Sequence, residues 1–254
     1  MEILVCIKRV PATGARIVLT EDAQQIETRN LGFAISPHEE CAVEEAVQLV
    51  EKHGGSVTVL TLGPEVAAQQ LRDSLAVGAD RAILLQTEGE EWDPMATTNA
   101  IIAAVKAEEA NGRSFDLLLF GNEAADTGGY QVGIRVAFAL GLPVVAGIKH
   151  LEIQDNTAVA RREAGGGWEI YELPLPAVLT LKEGINLPRY PSVPGRLRAK
   201  KKPLETIEPE KIGGGLEMIR LQTVVEEGSS VQVLGKDTTA VPQIMEVLQE
   251  LRLV

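Results

Sequence analysis

Short, almost wholly apolar segments alternate with helical patterns over the first 148 residues, and this alternation restricts the possible folds more than any other feature. Such segments cover residues 3–10, 56–63, 81–87, 115–122 and 143–148. Strands that are apolar on both faces are typical of a parallel sheet with helices covering each side. The sequence therefore predicts an α/β fold built on a doubly wound, Rossmann-like parallel sheet.

The helices between these strands have recognisable start signals. Ser36 suits the N-cap of the first helix, Pro37 suits its first position, and Glu39 can complete a capping box. Each predicted helix follows one strand and precedes the next, as a right-handed crossover connection requires. Further helices are predicted over about 64–78, 93–110 and 130–140.

The pattern changes after residue 148. Residues 150–184 contain strands separated by turns and glycines, which predicts antiparallel strands appended to the sheet. Residues 203–254 include too few apolar residues for a core of their own, although a helix near 238–252 has an apolar face. We therefore expect an α/β domain over residues 1–202 and a C-terminal arm over 203–254, whose helix packs on this chain or on another.

Composition argues against several classes of function. The chain has 36 acidic and 24 basic residues, and a net charge of −12 opposes nucleic acid or anionic membrane as the main partner. Cys6 and Cys41 lack metal-ligand spacing and the three histidines are scattered, so no metal site is predicted. A basic leader and a long apolar run are both missing, so we expect a cytoplasmic protein without membrane insertion.

The most informative motif is the glycine-rich stretch over residues 121–133, which follows a strand and precedes a helix. Glycines allow backbone N–H groups to approach an anion closely, and a helix N-terminus favours negative charge. The stretch matches neither the NTPase phosphate loop nor the dinucleotide fingerprint. Phosphate binding and an ordinary glycine-rich turn both stay open on this pattern alone, and Asp126 is either an acid or a cap of its own loop.

Other segments converge on the same region of the predicted sheet. Lys8 and Arg9 lie at the end of the first strand, Ser36 begins the first helix, and Leu62 lies at the end of the second strand. The two cations either neutralise a phosphate or remain as solvated flanks. Because ligands of doubly wound sheets bind at the carboxyl ends of the strands, this convergence favours a nucleotide site. The sequence has no arrangement typical of nucleophilic or metal catalysis, so we expect binding rather than bond cleavage.

The combined motifs resemble the beta subunit of electron transfer flavoprotein over about residues 1–210. They are VCIKRVP (5–11), SPHEECAVEEA (36–46), LRDSLAVGADRAI (71–83), DLLLFGNEAAD (116–126), LPAVLTLKEGINLPRYPS (175–192) and RLRAKKKPLE (196–205). The resemblance implies an electron carrier rather than an enzyme, paired with an alpha subunit that holds most of an FAD. It also implies a structural AMP in this subunit and an arm that wraps the partner. The flavin would take electrons from acyl-CoA or related dehydrogenases, as in fatty acid beta-oxidation, and pass them to a membrane quinone oxidoreductase.

The resemblance also implies the positions of the cofactor contacts. The AMP phosphate would lie over the amides of Tyr130, Gln131 and Val132. His38 and Thr13 would lie at the flavin edge, where relatives carry aromatic residues. His38 either tunes the flavin potential or proton supply, or is a solvated residue at the helix start. The implied AMP contacts are Cys6, Ser36, Pro37, His38, Glu39, Leu62, Gly121, Asn122, Glu123, Ala124, Ala125, Asp126, Thr127, Gly128, Gly129, Tyr130, Gln131 and Val132.

Two alternatives remain beside this interpretation. Electron-bifurcating relatives place a second FAD at the AMP position and tend to carry DGDTAQVG, whereas this chain has Gly129 at the threonine position, which favours AMP. An adenine-nucleotide-sensing module shares the crevice, but it would be smaller and would lack residues 177–202.

A basic, proline-rich stretch over about residues 184–202 is implied to be the recognition loop for dehydrogenases. Val193, between two prolines, would enter an apolar pocket of the partner, and the prolines lower the entropy lost on docking. The basic residues after it either meet acidic dehydrogenases, pair with the alpha subunit, or stay solvated. Nucleic-acid binding is disfavoured because no aromatic platform accompanies them. The basic residues are Arg196, Arg198, Lys200, Lys201 and Lys202.

Overall fold

The computed structural model of this chain describes residues 1–223 and 232–254. In these parts of the chain, a nine-stranded sheet is flanked by helices, and a separate two-stranded sheet lies beside it. The strands are β1 (Glu2–Cys6), β2 (Arg9–Pro11), β3 (Phe33–Ile35), β4 (Ser56–Gly63), β5 (Arg81–Gln86), β6 (Leu117–Gly121), β7 (Val144–Gln154), β8 (Thr157–Ala164), β9 (Gly167–Pro174), β10 (Ala177–Leu181) and β11 (Leu204–Ile207). The helices are α1 (Pro37–His53), α2 (Ala68–Val77), α3 (Pro94–Ala110), α4 (Val132–Leu140), α5 (Val193–Ala199) and α6 (Val241–Glu250).

The strand order confirms the predicted doubly wound sheet with appended antiparallel strands. The order is β11-β5-β4-β1-β6-β10-β7-β8-β9. The strands from β11 to β7 run parallel, and β8 and β9 add an antiparallel hairpin at one edge. Since β1 has β4 on one side and β6 on the other, the strand order reverses there and opens a crevice at their carboxyl ends.

The core lies on both faces of the sheet, as the apolar strands predict. Ile3 and Val5 of β1 belong to the cluster that includes residues of α1 and α2. Leu4 and Cys6 face the opposite cluster, which includes residues of α3 and α4. Each fully buried aliphatic side chain of this size contributes roughly 1.5–3 kcal/mol, so these two layers fix the sheet that positions the crevice.

The prediction of one continuous first strand over residues 3–10 is wrong. The amide of Ile7 still donates to Leu60 of β4 (2.8 Å), but the next amide, that of Lys8, donates to the Glu39 carboxylate. The chain then leaves the main sheet, and β2 pairs antiparallel with β3. A side-chain acceptor from helix α1 therefore ends the strand, although the apolar pattern continues.

The beginning of the C-terminal arm is part of the sheet, because β11 pairs parallel with β5. The following residues cross to the loop between β2 and β3, where the amide of Leu221 donates to Ala23 (2.8 Å). On the way, the Asn99 side chain donates to the carbonyl of Ile212 (2.8 Å). Residues 224–231 of the predicted arm lie outside the described residues.

Helix α6 confirms the helix predicted near the C-terminus, and most of its apolar residues are exposed. The exposed ones are Val241, Ile244, Met245 and Val247, followed by Leu251 just after the helix, whereas Leu248 is half-buried. Among the helices of the described residues, none has the length and apolar character that a membrane span requires.

Candidate functional site

Ser36 connects the start of helix α1 to the glycine-rich stretch, which we call the phosphate loop (residues 121–132). Its side chain is completely buried. The hydroxyl accepts from the amide of Ala125 (3.1 Å) and lies 3.4 Å from the carbonyl of Glu123. Ser36 occupies the N-cap and Pro37 the first helical position, as predicted, but no side-chain cap forms. The predicted capping box with Glu39 is therefore wrong, because both side chains bond to other parts of the chain.

Glu39 is a buried carboxylate that joins helix α1 to the end of β1. It accepts a hydrogen bond from the amide of Lys8 and is 7% exposed. Burial raises the pKa of Glu39 well above its usual range, although the bond from the Lys8 amide opposes this shift. The carboxylate thus holds the turn at which the chain leaves β1.

Lys8 reaches the phosphate loop with its ammonium group. Its Nζ lies 2.8 Å from a carboxylate oxygen of Asp126 and 2.6 Å from one of Glu91. Burial lowers the pKa of Lys8, but these two carboxylates outweigh it and raise the pKa overall. The neighbouring Arg9 is placed differently, with its guanidinium 3.3 Å from the centroid of the Phe33 ring. Lys8 is therefore a link between two loops rather than a solvated flank.

Two glycines permit close contact between the helices and β6. A Cβ on Gly121 would lie 2.6 Å from Cγ of Glu39 and 3.2 Å from Cβ of His38. A Cβ on Gly133 would lie 3.0 Å from the ring of Phe120 and 2.9 Å from Thr180. The first turns of α1 and α4 therefore both rest against the carboxyl end of the sheet, with the phosphate loop between them.

The conformation of the phosphate loop leaves backbone donors at the start of α4. The amide of Gly128 donates to Ala124 (2.9 Å), and both Gly128 and Tyr130 have positive φ angles. Asp126 accepts from the amide of Thr127 (2.8 Å), so it caps its own loop as well as pairing with Lys8. In residues 1–223 and 232–254, the amides from Gly129 to Val132 donate to no acceptor. Such donors at a helix N-terminus suit an anion.

Glu123 lies between His38 and Tyr130. Its carboxylate is 3.7 Å from Nε2 of His38, and its proximity raises the pKa of the Tyr130 hydroxyl. Nδ1 of His38 is buried and has no hydrogen-bond partner within the described residues. Thr13 is exposed in the turn after β2, and no hydrogen bond of the described chain joins it to His38. The structure thus brings His38, but not Thr13, into contact with the phosphate loop.

An apolar floor lies beneath these groups. Cys6, Leu62 and Val132 pack in the same cluster, although they come from three separate segments of the chain. Cys6 is a free, buried thiol whose pKa is raised first by burial and then by the charge of Glu39. Cys6 ends β1 and Leu62 lies next to the last residue of β4, so both lie at the carboxyl edge of the sheet.

Two of the predicted contacts use their side chains within the protein. Oδ1 of Asn122 accepts from the Thr180 hydroxyl (2.9 Å), which itself accepts from the amide of Gly147 (2.9 Å). Oε1 of Gln131 accepts from the guanidinium of Arg135 (2.9 and 3.1 Å). Both residues therefore offer a ligand their backbone more readily than their side chains.

The recognition loop contains a short helix that sequence reasoning did not predict. Val193 is the first residue of α5 and is 74% exposed. The Ser192 side chain accepts from the amide of Gly195 (3.1 Å), and a Cβ on Gly195 would lie 2.5 Å from the carbonyl oxygen of Ala76. The signal was present in the sequence, since Ser-Val-Pro-Gly combines an N-cap residue with a proline in the first turn.

The basic residues of the recognition loop divide into two groups. Lys202 donates to the carbonyl of Leu75 in the last turn of α2 and to that of Ala79 just after the helix. Arg72 of α2 donates in return to the carbonyls of Ala199 and Lys202 (2.7 Å each). Arg196 lies 3.7 Å from Asp73. Among the described residues, Arg198, Lys200 and Lys201 form no ion pair. Lys202 therefore stabilises the fold, whereas these three side chains are available to a partner.

Three further exposed apolar residues lie in or beside α5 and were missed as candidates. Leu187, Tyr190 and Leu197 are 89%, 96% and 59% exposed, respectively. The signal available in the sequence was the presence of large apolar residues in a segment of prolines and cations. Like Val193, they are exposed apolar side chains close in sequence to the free basic residues.

Comparisons with known proteins identify a family over most of this chain. The family model of the electron transfer flavoprotein domain matches residues 24–212. An electron transfer flavoprotein subunit beta of Bacillus subtilis is 40% identical over 210 residues, which cover 82% of this chain and 79% of the relative. The corresponding subunit of Bradyrhizobium diazoefficiens is 33% identical over 242 residues, covering 93% and 94%. Subunit CarD of the caffeyl-CoA reductase-Etf complex of Acetobacterium woodii is 34% identical, covering 84% and 80%.

Proposed function

This chain belongs to the electron transfer flavoprotein beta-subunit family, and from this membership we propose that it binds AMP structurally and completes the FAD site of its alpha subunit. Members of this family are electron-transfer subunits that pair with an alpha subunit. The proposed role of this chain is therefore to hold a flavin in place and to bring electron donors to it, without a catalytic residue of its own.

The observation that carries the AMP proposal is the row of unpaired amides from Gly129 to Val132 at the start of α4. A phosphate would accept from these amides and meet the positive end of the helix dipole. Lys8 and Ser36 hold the phosphate loop from β1 and α1, so the donors are fixed before a ligand binds. The apolar floor of Cys6 and Leu62 suits the adenine ring.

The flavin edge is proposed to lie at His38. When bound, the FAD supplies one- and two-electron chemistry, and this chain contributes the side chains beside it. The buried, unpaired Nδ1 of His38 fits a polar group of the flavin, because a buried polar atom without a partner is costly. We propose that His38 tunes the flavin potential or the proton supply, with Glu123 holding the other side of the ring. Thr13 is proposed to face the same cofactor only when the alpha subunit is present.

The recognition loop is proposed to dock acyl-CoA or related dehydrogenases, with Val193 as the anchor. A single anchor of this size contributes about 1.5–3 kcal/mol when fully buried, which suits a carrier that must dissociate after each transfer. Arg196, Arg198, Lys200 and Lys201 would steer the carrier towards acidic partners. The exposed apolar face of α6 is proposed to pack on the alpha subunit, and the final acceptor is proposed to be a membrane quinone oxidoreductase.

A second FAD in place of AMP is the alternative for this crevice. The relatedness to CarD, a subunit of a caffeyl-CoA reductase complex, keeps this alternative relevant. Gly129 favours AMP, because the threonine typical of bifurcating relatives is missing from the phosphate loop. In that alternative, the heterodimer would be a bifurcating oxidoreductase rather than a simple carrier.

The test is to express this chain with its alpha subunit, purify the heterodimer, and identify the nucleotides released on denaturation by mass spectrometry. We expect one FAD and one AMP per heterodimer. Two FAD molecules and no AMP would establish the alternative. A stable heterodimer that releases FAD alone would overturn the proposed role of the crevice.

A further inference from the structure

Helix α1 connects the crevice to the recognition loop. Its first turn places His38 and Glu39 beside the phosphate loop, and its later turns carry the acidic residues that contact the loop. With 17 residues, it spans about 25 Å at the usual rise per residue. One rigid element therefore touches both the proposed cofactor site and the proposed docking site.

The contact between α1 and the recognition loop is a clamp formed by Arg189 on Glu44 and Glu51. Nε and Nη2 of Arg189 donate to the two carboxylate oxygens of Glu44 (2.9 and 3.0 Å), and its backbone amide donates to Glu44 as well (3.1 Å). Nη1 and Nη2 donate to the two oxygens of Glu51 (2.6 and 2.9 Å). The guanidinium thus bridges two carboxylates that lie about two turns apart on one helix face.

The electrostatics of the clamp reinforce its geometry. The Glu44 side chain is 4% exposed, and although burial raises its pKa, the bonds from Arg189 and Gln48 lower the pKa overall. The carboxylates of Glu51 and Glu44 raise the pKa of Arg189. A planar guanidinium fixes the direction of the chain that carries it, which a lysine ammonium does not.

A second contact holds the loop before Arg189. Nδ2 of Asn186 donates to the carbonyl of Cys41 (3.0 Å) and to the carboxylate of Glu45 (2.8 Å). The two anchor points are three residues apart and lie on either side of Leu187. Tyr190 follows the second anchor directly, and Val193, the first residue of α5, comes three residues later.

We propose that Arg189 is a positioning residue for dehydrogenase docking. Its clamp on α1 fixes Leu187, Tyr190 and Val193 in one orientation relative to that helix. This inference rests on the proposed function, since it assigns the orientation of the proposed docking surface. A rigid display of three exposed apolar side chains lowers the entropy lost when a partner binds them. It also fixes how the docked partner is turned towards the crevice at the other end of α1.

The motion of the loop can be measured without a dehydrogenase. The purified heterodimer with Val193→Cys carries a nitroxide label at residue 193, while Cys6 and Cys41 remain buried. We expect an immobilised label in the parent protein, a mobile label with Arg189→Gln, and an intermediate label with Arg189→Lys. Glu51→Gln removes only the exposed half of the clamp and keeps the experiment informative if Arg189→Gln does not fold. Lys106→Gln, at an exposed position of α3 away from the recognition loop, is the control for loss of a charge.

The kinetic test uses an acyl-CoA dehydrogenase, reduced by its acyl-CoA substrate, as the electron donor. With Arg189→Gln and Glu51→Gln, the KM for the heterodimer should rise about tenfold and threefold, with kcat changed less than twofold. Arg189→Lys should restore part of the loss. If Arg189 only stabilised the fold, its substitution would lower the melting temperature without raising KM at nearly constant kcat. Unchanged label mobility and unchanged KM in a heterodimer that still contains FAD and AMP would overturn the inference, whereas missing AMP would contradict the proposed function instead.

Discussion

The hydroxyl of Ser36 accepts a hydrogen bond from the amide of Ala125 at 3.1 Å and joins the start of α1 to a loop 89 residues later in the chain. The same hydroxyl lies 3.4 Å from the carbonyl of Glu123. One buried side chain therefore satisfies two backbone groups of the phosphate loop. The position of the amides proposed to bind phosphate depends on this bond.

Ser36→Ala should weaken AMP binding by roughly tenfold and lower the free energy of unfolding by about 1–3 kcal/mol, because it leaves a buried amide without an acceptor. Calorimetric titration of the AMP-depleted heterodimer measures the first effect, and thermal unfolding measures the second. Ser192→Ala is the matched control, since it removes the cap of α5 and should leave AMP affinity unchanged. Equal affinities for the Ser36 variant and the parent would contradict the role given to the phosphate loop.

Gly121→Ala should destabilise the protein by about 1–3 kcal/mol, because the added Cβ would lie 2.6 Å from the Glu39 side chain in a packed site. Denaturant unfolding gives the change in free energy. Gly129→Ala serves as the comparison, since a Cβ at that position has no atom within 4 Å. The prediction fails if the two alanine variants unfold at the same denaturant concentration.

Glu108 should make the protein sensitive to acid. The bonds from Arg113, followed by those from Arg81, lower the pKa of Glu108 to about 2 against the opposing effect of burial. Because the folded pKa is depressed, the stabilisation is present above the unfolded pKa of about 4.3 and is lost as the pH falls towards 2. At about 1.4 kcal/mol per unit, this loss amounts to about 3 kcal/mol.

Unfolding measured between pH 7 and pH 2 tests this point with Glu108→Gln. The variant should be less stable than the parent at pH 7 and should lose less stability on acidification. Glu109→Gln, on the same helix and exposed, is the control for loss of a carboxylate. Parallel pH profiles for the parent and the Glu108 variant would show that the carboxylate does not contribute.

Val193→Ala should raise the KM for a dehydrogenase about tenfold, because removal of two methyl groups from a buried anchor costs about 1–2 kcal/mol. The FAD content of the heterodimer should be unchanged. Val66→Ala is the matched control, because Val66 is another exposed valine and lies outside the recognition loop. If FAD were lost from the Val193 variant, the residue would have a structural role.

His38→Phe should shift the flavin potential and reduce its pH dependence, because it removes a titratable ring beside the proposed flavin edge. Potentiometric titration at several pH values gives both quantities. Thr13→Val tests the second flavin-edge residue in the same experiment. An unchanged potential with unchanged pH dependence would show that His38 does not act on the flavin.

Much of the fold could be predicted because its signals are local. Apolar strands such as Leu117–Gly121 and start signals such as Ser36-Pro37 depend on neighbouring residues, and the structure confirms them. The first strand was wrong because Glu39, a distant residue in sequence, provides the acceptor that ends it. Tertiary bonds of this kind leave no periodic pattern.

The motifs shared with the family also do not reveal which of their residues contact each other. The sequence presents AVEEA and NLPRY as separate motifs, but the structure joins them through Glu44 and Arg189. Similarly, five basic residues appear equivalent in the chain, whereas Lys202 donates to carbonyls at and just after the end of α2. Which residue serves the fold and which serves a partner depends on contacts between elements, and only the structure supplies these contacts.

Hydrogen exchange of the heterodimer, measured with AMP bound and after AMP has been removed, tests most directly whether the amides at the start of α4 hold the nucleotide. Backbone N–H groups that donate to a bound phosphate exchange slowly, whereas the same groups open to water exchange fast. The peptide that contains Gly129–Val132 should become protected on AMP binding, with no change in the hairpin of β8 and β9. If AMP binds but the exchange rate of this peptide does not change, the account is contradicted.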